Sequence, residues 1–125
     1  MKILYIDDSE ENIALLQSTL KSALSESQYK NFIVDTETDP TKGLAKLEDQ
    51  EYDIVILDWY MPDIGGKEIL EFMIGTYPET PVAILSAQAN EKELISYTQK
   101  HNISVFSKPI EGNILVKFIS KNSDR

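Results

Sequence analysis

The chain has 125 residues, 42% of them apolar and 26% charged, and its twelve basic residues against twenty-one acidic ones give a formal net charge of -9. That length suits a single domain, expected over residues 1–125, and leaves no room for a second. The acidic excess, with Arg125 as the sole arginine, disfavours a nucleic-acid phosphate backbone as partner, and the lack of cysteine excludes disulfides, zinc-thiolate sites and thiol nucleophiles.

The first apolar run, KILYI, stops at Asp7-Asp8. It is too short for a signal-peptide core, and no later run approaches a membrane span, so a cytoplasmic protein without membrane contact is expected. Ile13, Leu16, Leu20 and Leu24 then recur with helical spacing. A second short run, FIVDT, is polar enough for an edge strand. Asp39-Pro40 follows as an N-cap with proline in the first helical turn. DIVIL is continuously apolar, as is VAIL further on, and both read as strands buried on two faces. A polar fourth helix is expected from a cap at Asn90 to Lys100, with Leu94, Ile95 and Tyr97 as its main apolar residues. SVF is the fifth strand, and a last helix from about Glu111 is expected to bury Ile114, Leu115, Phe118 and Ile119. Five strands alternating with five helices predict a doubly wound α/β fold with a five-stranded parallel sheet.

Ligands of such sheets bind beyond the carboxyl ends of the strands. The first strand carries Asp7-Asp8 there, the third Asp58, the fourth Ser86 and the fifth Lys108-Pro109. Taken singly, Asp7-Asp8 would read as a helix cap, Ser86 as a turn residue, and Lys108-Pro109 as nothing in particular. Together they gather three carboxylates, a hydroxyl and an ammonium at one sheet edge. Three carboxylates in one pocket repel, and Lys108 offsets only one of them. An oxygen-only donor set calls for a hard divalent cation, best Mg2+, and no calcium-loop spacing is present. Asp58 in such a setting is a candidate nucleophile toward phosphorus, with Lys108 and the metal neutralising phosphoryl oxygens and Ser86 donating a hydrogen bond.

The stretches YIDDSEEN, VILDWYMPDIGG, AILSA and FSKP together resemble the receiver domain of two-component response regulators, the chemotaxis-Y-like superfamily, over essentially the whole chain. The resemblance implies a flavodoxin-like strand order 2-1-3-4-5. It also implies that Asp58 is the phosphoacceptor, Asp8 a direct metal ligand, Asp7 a ligand through water, and Tyr60 a ligand through its backbone carbonyl. Ser86 takes the switch-hydroxyl position and Lys108 contacts the phosphoryl group. The Lys108–Pro109 bond is implied to be cis, Gly65-Gly66 to form a turn of the kind that often needs positive φ, and Tyr60 and Gln88 to tune the phosphoryl lifetime. The implied donor is a sensor histidine kinase or phosphotransfer protein. The implied output is a downstream protein or tethered effector met through the face of the fourth helix, fifth strand and fifth helix.

Two positions depart from the family pattern. Val105 stands where a switch aromatic is usual, and Phe106, one residue later, faces the other side of the strand. His101-Asn102 replaces a Gly-Ala pair, and the lone histidine reads as a helix-end residue rather than a phosphodonor. The sharpest enzyme rival is a magnesium-dependent phosphohydrolase of the haloacid-dehalogenase type. That chemistry needs a second aspartate two residues after the nucleophile, where this chain has Tyr60. The other rival is an interaction module that is never phosphorylated. The switch reading makes the chain no enzyme toward external substrates, only toward its own aspartate.

Overall fold

The computed structural model describes residues 1–99 and 102–123; Lys100, His101, Asp124 and Arg125 lie outside them, and with them the helix end read at 100–101. The elements run β1 (Lys2–Ile6), α1 (Glu10–Ala23), α2 (Glu26–Tyr29), β2 (Ile33–Glu37), α3 (Pro40–Asp49), β3 (Ile54–Asp58), α4 (Gly66–Thr76), β4 (Val82–Ser86), α5 (Lys92–Thr98), β5 (Ile103–Ser107) and α6 (Gly112–Ser123). All strand pairs are parallel, in the order β2-β1-β3-β4-β5. The doubly wound fold and the implied strand order are therefore both observed.

Strand pleating divides the core into two. Leu4, Ile6, Val55, Leu57, Val82 and Ile84 meet Leu47, Ile69, Leu70, Met73 and Leu94 of α3, α4 and α5. Ile3, Tyr5, Ile54, Ile56, Ala83 and Leu85 meet Ile13, Leu16, Leu20, Leu115, Phe118 and Ile119 of α1 and α6. Alternate residues of one strand thus serve opposite faces. Every residue of β3 and β4 is buried, whereas β2, at the edge, has no fully buried residue. Val105 packs on the α3–α5 face and Phe106 on the α1–α6 face, where it meets Phe118 edge-on. The two do not exchange places.

Several local expectations need correction. There are six helices among the described residues, because Ser25 and Gln28 close a reciprocal capping box around the single turn α2. That turn buries nothing, so no apolar periodicity announces it. The cap of α5 is Glu91 rather than Asn90, and its side chain makes no capping hydrogen bond. Asp39 does cap α3, accepting from the Thr41 amide at 2.9 Å. Ile114 is 40% exposed, because Leu115, Phe118 and Ile119 fill the stripe that faces the sheet and leave it at the rim.

The turn before α4 has its positive φ at Asp63 (63°), and neither Gly65 nor Gly66 has one. Aspartate tolerates the left-handed region better than most residues. Gly66 is needed for closeness instead: a Cβ there would lie 2.6 Å from the Asp58 carbonyl oxygen and 2.8 Å from the Trp59 Cα. At Gly75, also in α4, a Cβ meets nothing within 4 Å.

These two glycines should respond oppositely to the same change. Gly66→Ala is expected to destabilise the domain by about 1–3 kcal/mol through overpacking against backbone. Gly75→Ala should stabilise it by about 0.4–1 kcal/mol by restricting the unfolded chain. Urea denaturation of both variants beside the parent checks the sign of each effect.

Candidate functional site

The sheet register builds the site. Ile6 pairs with Leu57, so the next residues, Asp7 and Asp58, stand level at the ends of the two central strands. Both belong to the alternation that faces α1 and α6, as does Lys108, two residues past Phe106. The Lys108 amide donates to the Ser86 carbonyl at 3.1 Å, which fixes the lysine at the adjoining strand end. Its ammonium reaches Asp58 Oδ1 at 2.8 Å and Asp7 Oδ2 at 3.3 Å. The Lys108–Pro109 peptide bond is cis.

Asp7 is fully buried and heavily engaged. Its Oδ2 accepts from the Tyr5 hydroxyl at 2.6 Å, and its Oδ1 accepts from the Ser9 amide at 3.0 Å. The Asn12 side-chain amide lies 3.3 and 3.4 Å from its two oxygens. Ser9, and not either aspartate, caps α1 by accepting from the Asn12 amide. Asp8 is exposed, and one carboxylate oxygen from each of Asp7, Asp8 and Asp58 lies within 4.8 Å of the others. This oxygen-only cluster is able to hold a metal ion.

Burial and charge crowding act together on Asp58. Burial pushes the Asp58 carboxyl up to about 6, the charges of Asp7 and Asp8 add to the effect, and the hydrogen bond and charge of Lys108 oppose it. Burial pulls the Lys108 ammonium down, but Asp58 and then Asp7 outweigh it, so its pKa lies above the ordinary lysine value. The Tyr5 hydroxyl is raised by burial and then by Asp7, which keeps it a donor. Among the described residues no buried polar side-chain atom lacks a hydrogen-bond partner.

The remaining sequence candidates sit around this core and do not join its ion pairs. Ser86 is buried, and its hydroxyl accepts from the Gln88 amide at 3.0 Å. It has the opposite strand parity to Asp58, and no hydrogen bond between it and the Asp58 or Lys108 side chains is present among the described residues. Gln88 is exposed. Tyr60 is 54% exposed and its hydroxyl donates to Glu91 at the start of α5. Trp59 is buried and meets Tyr97 of α5 edge-on, with ring centroids 6.0 Å apart.

The residues 3–120 match the family described as the response regulator receiver domain. The chain belongs to this family. As a receiver domain it is a phosphoacceptor switch of two-component signalling, which implies a histidine kinase or phosphotransfer protein among its partners. It is 33% identical over 95 residues to the response regulator ArlR of Staphylococcus aureus, covering 76% of this chain and 40% of that protein. It is 31% identical over 109 residues to protein-glutamate methylesterase/protein-glutamine glutaminase 1 of Myxococcus xanthus, covering 87% of this chain and 30% of that protein. The chain thus spans well under half the length of either relative. A receiver domain from Clostridium thermocellum superposes with a TM-score of 0.83 at 25% identity, over 99% of this chain and 94% of that one. The Francisella response regulator 1452 receiver domain gives 0.81 at 21% identity, over 99% and 97%, and bears on the fold alone. No described helix of this receiver is long and apolar enough to cross a membrane.

Sequence reading missed Tyr5, Asn12 and Glu91. For Tyr5 a signal existed: a tyrosine inside a buried strand needs a hydroxyl partner, and Asp7 is two residues on, on the same face.

The raised Asp58 pKa fixes a sign for stability. Its folded value, about 6, lies above the ordinary carboxyl value of 3.8, so the folded state holds the proton more tightly and loses stability as pH rises between the two. In chelator, Asp58→Asn should gain on wild type from pH 4 to pH 7, by about 2–3 kcal/mol. Thermal unfolding of both proteins across that range, with a flat difference as the contrary result, checks it.

Proposed function

We propose that Asp58 is the residue of this receiver that accepts the phosphoryl group. The observation that carries this reading is the Lys108 ammonium held between Asp58 and Asp7 at the carboxyl edge of the sheet. An Asp58 oxygen attacks phosphorus of a donor phosphohistidine. The O–P bond forms as the N–P bond breaks, and the donor imidazole leaves and takes up a proton. Lys108 stays beside the acyl phosphate and pairs with one of its oxygens. For the reset, water attacks phosphorus, the acyl O–P bond breaks, inorganic phosphate departs and the Asp58 carboxylate is restored.

Mg2+ is the metal that fits three carboxylates with no nitrogen or sulfur donor. Asp8, Asp58 and the Tyr60 backbone carbonyl would hold it, with Asp7 acting at one remove. When bound, it supplies positive charge to phosphoryl oxygens. The split between the two aspartates follows from their surroundings: Asp7 is occupied by Tyr5, Ser9, Asn12 and Lys108, whereas Asp8 is exposed. Ser86, one strand over, would turn its hydroxyl from the Gln88 amide toward the phosphoryl group, and Gln88 and Tyr60 flank the route by which water arrives.

On this reading residues 1–125 act as one cytoplasmic receiver domain, with no turnover of external substrates. The output face comprises α5, β5 and α6, where a downstream protein or tethered effector docks. Tyr60 in place of a second aspartate argues against a phosphohydrolase.

Intact-mass spectrometry after incubation with acetyl phosphate and Mg2+ should show one added phosphoryl group. The adduct should vanish in Asp58→Asn and in chelator. Lys108→Ala should slow its formation by about 10²–10³-fold, the scale for loss of one preorganised charge partner. A wild-type chain that takes no phosphoryl group from any donor would falsify the assignment.

A further inference from the structure

Helix α5 buries little in the core and is tied by surface side-chain contacts to the loop beside the site. Among its described residues only Leu94 is fully buried, and Ile95 is 42% exposed. Besides its packing on β5, three of its side chains reach the segment that follows Asp58 and the start of α4. Tyr97 lies edge-on to Trp59, the residue after Asp58, at 6.0 Å. Glu91, at the N-cap, accepts from the hydroxyl of Tyr60, two residues after Asp58. Glu93 pairs with Lys67, in the first turn of α4, at 3.3 Å. Between these contacts runs an open cleft of about 590 Å³ lined by Trp59, Tyr60, Met61, Lys67, Glu91 and Glu93.

The loop itself is tied tightly to the phosphoacceptor strand. The Trp59 amide donates to the Leu85 carbonyl at 3.2 Å, and the Gly66 amide donates back to the Trp59 carbonyl at 3.0 Å. Gly66 rests against the Asp58 backbone, so a displacement at Asp58 reaches both ends of the loop. Val105 of β5, packed against the same core as Leu94, is aliphatic and has no polar atom or ring to transmit a change.

We infer that Glu91, Glu93 and Tyr97 are positioning residues that latch α5 to the loop after Asp58, so that the state of Asp58 sets the mobility of α5 through Trp59, Tyr60 and Lys67. This rests on the reading of Asp58 as phosphoacceptor and adds its route of readout. Ordering the loop on one side of the latch removes motion from the helix on the other, and linkage makes the effect reciprocal.

The test is hydrogen exchange of peptides covering α5, with and without acetyl phosphate and Mg2+, on the full chain. Intact mass is recorded on the same samples. In wild type, phosphorylation should slow exchange in α5 by about fivefold or more, the lower end of ordinary coupling. In Glu91→Ala/Glu93→Ala the slowing should fall below about twofold while the phosphoryl adduct still forms. Glu91→Gln keeps an acceptor for the Tyr60 hydroxyl and should preserve the wild-type response, which a merely structural role for the carboxylate would not require. Unchanged α5 exchange in phosphorylated wild type, or a full response in the double alanine variant, overturns the latch and leaves the phosphoacceptor assignment intact. A wild-type chain with no adduct takes both down together.

Discussion

One lysine makes this sheet edge tenable. Asp7 and Asp58 end adjacent central strands with almost no exposure, and two buried carboxylates side by side are costly unless a cation stands between them. Lys108 is that cation. It is delivered from β5, with β3 and β4 lying between it and β1, by the β4–β5 register and the Ser86 carbonyl. Without it the central strands would end in buried, uncompensated charge. Two carboxylates against one ammonium still leave negative charge, and burial together with that charge raises the Asp58 pKa. The excess is what a bound cation would offset.

Much of this was legible in the sequence because each chemical group ends an apolar run. A strand buried on both faces cannot carry Asp58 or Ser86 in its middle, so their place at the end was implied by cost alone. The two-faced packing also followed from pattern, and it separates Val105 from Phe106 as alternation demands. Strand order was different. Parallel pairing constrains handedness and burial, not which strand lies beside which, and here only the family likeness supplied the order.

What the sequence concealed lay in contacts between distant residues or in geometry finer than periodicity. Tyr60 and Glu91 are separated by 31 positions and a whole strand–helix crossover, so nothing local joins them. Asn12 looks like any polar helix residue until α1 lays its first turn over Asp7. Ile114 fits the apolar stripe of α6 by spacing, but Leu115, Phe118 and Ile119 already fill the surface that the sheet offers. Gly66 was noticed as a turn glycine for the wrong reason; what matters is the absent Cβ against the Asp58 backbone, while Asp63 takes the left-handed conformation.

The pleat of the sheet carries a further consequence. Asp7, Asp58 and Lys108 belong to the alternation that faces α1 and α6, while Trp59 packs in the opposite core with α3, α4 and α5. The charged cluster and the residues that would report its state are therefore supported by two cores that share only backbone. Substitutions that drift through one core need not disturb the other. A lineage built on this frame can diversify the listeners on one side of the sheet while the chemical centre, anchored on the other, stays fixed.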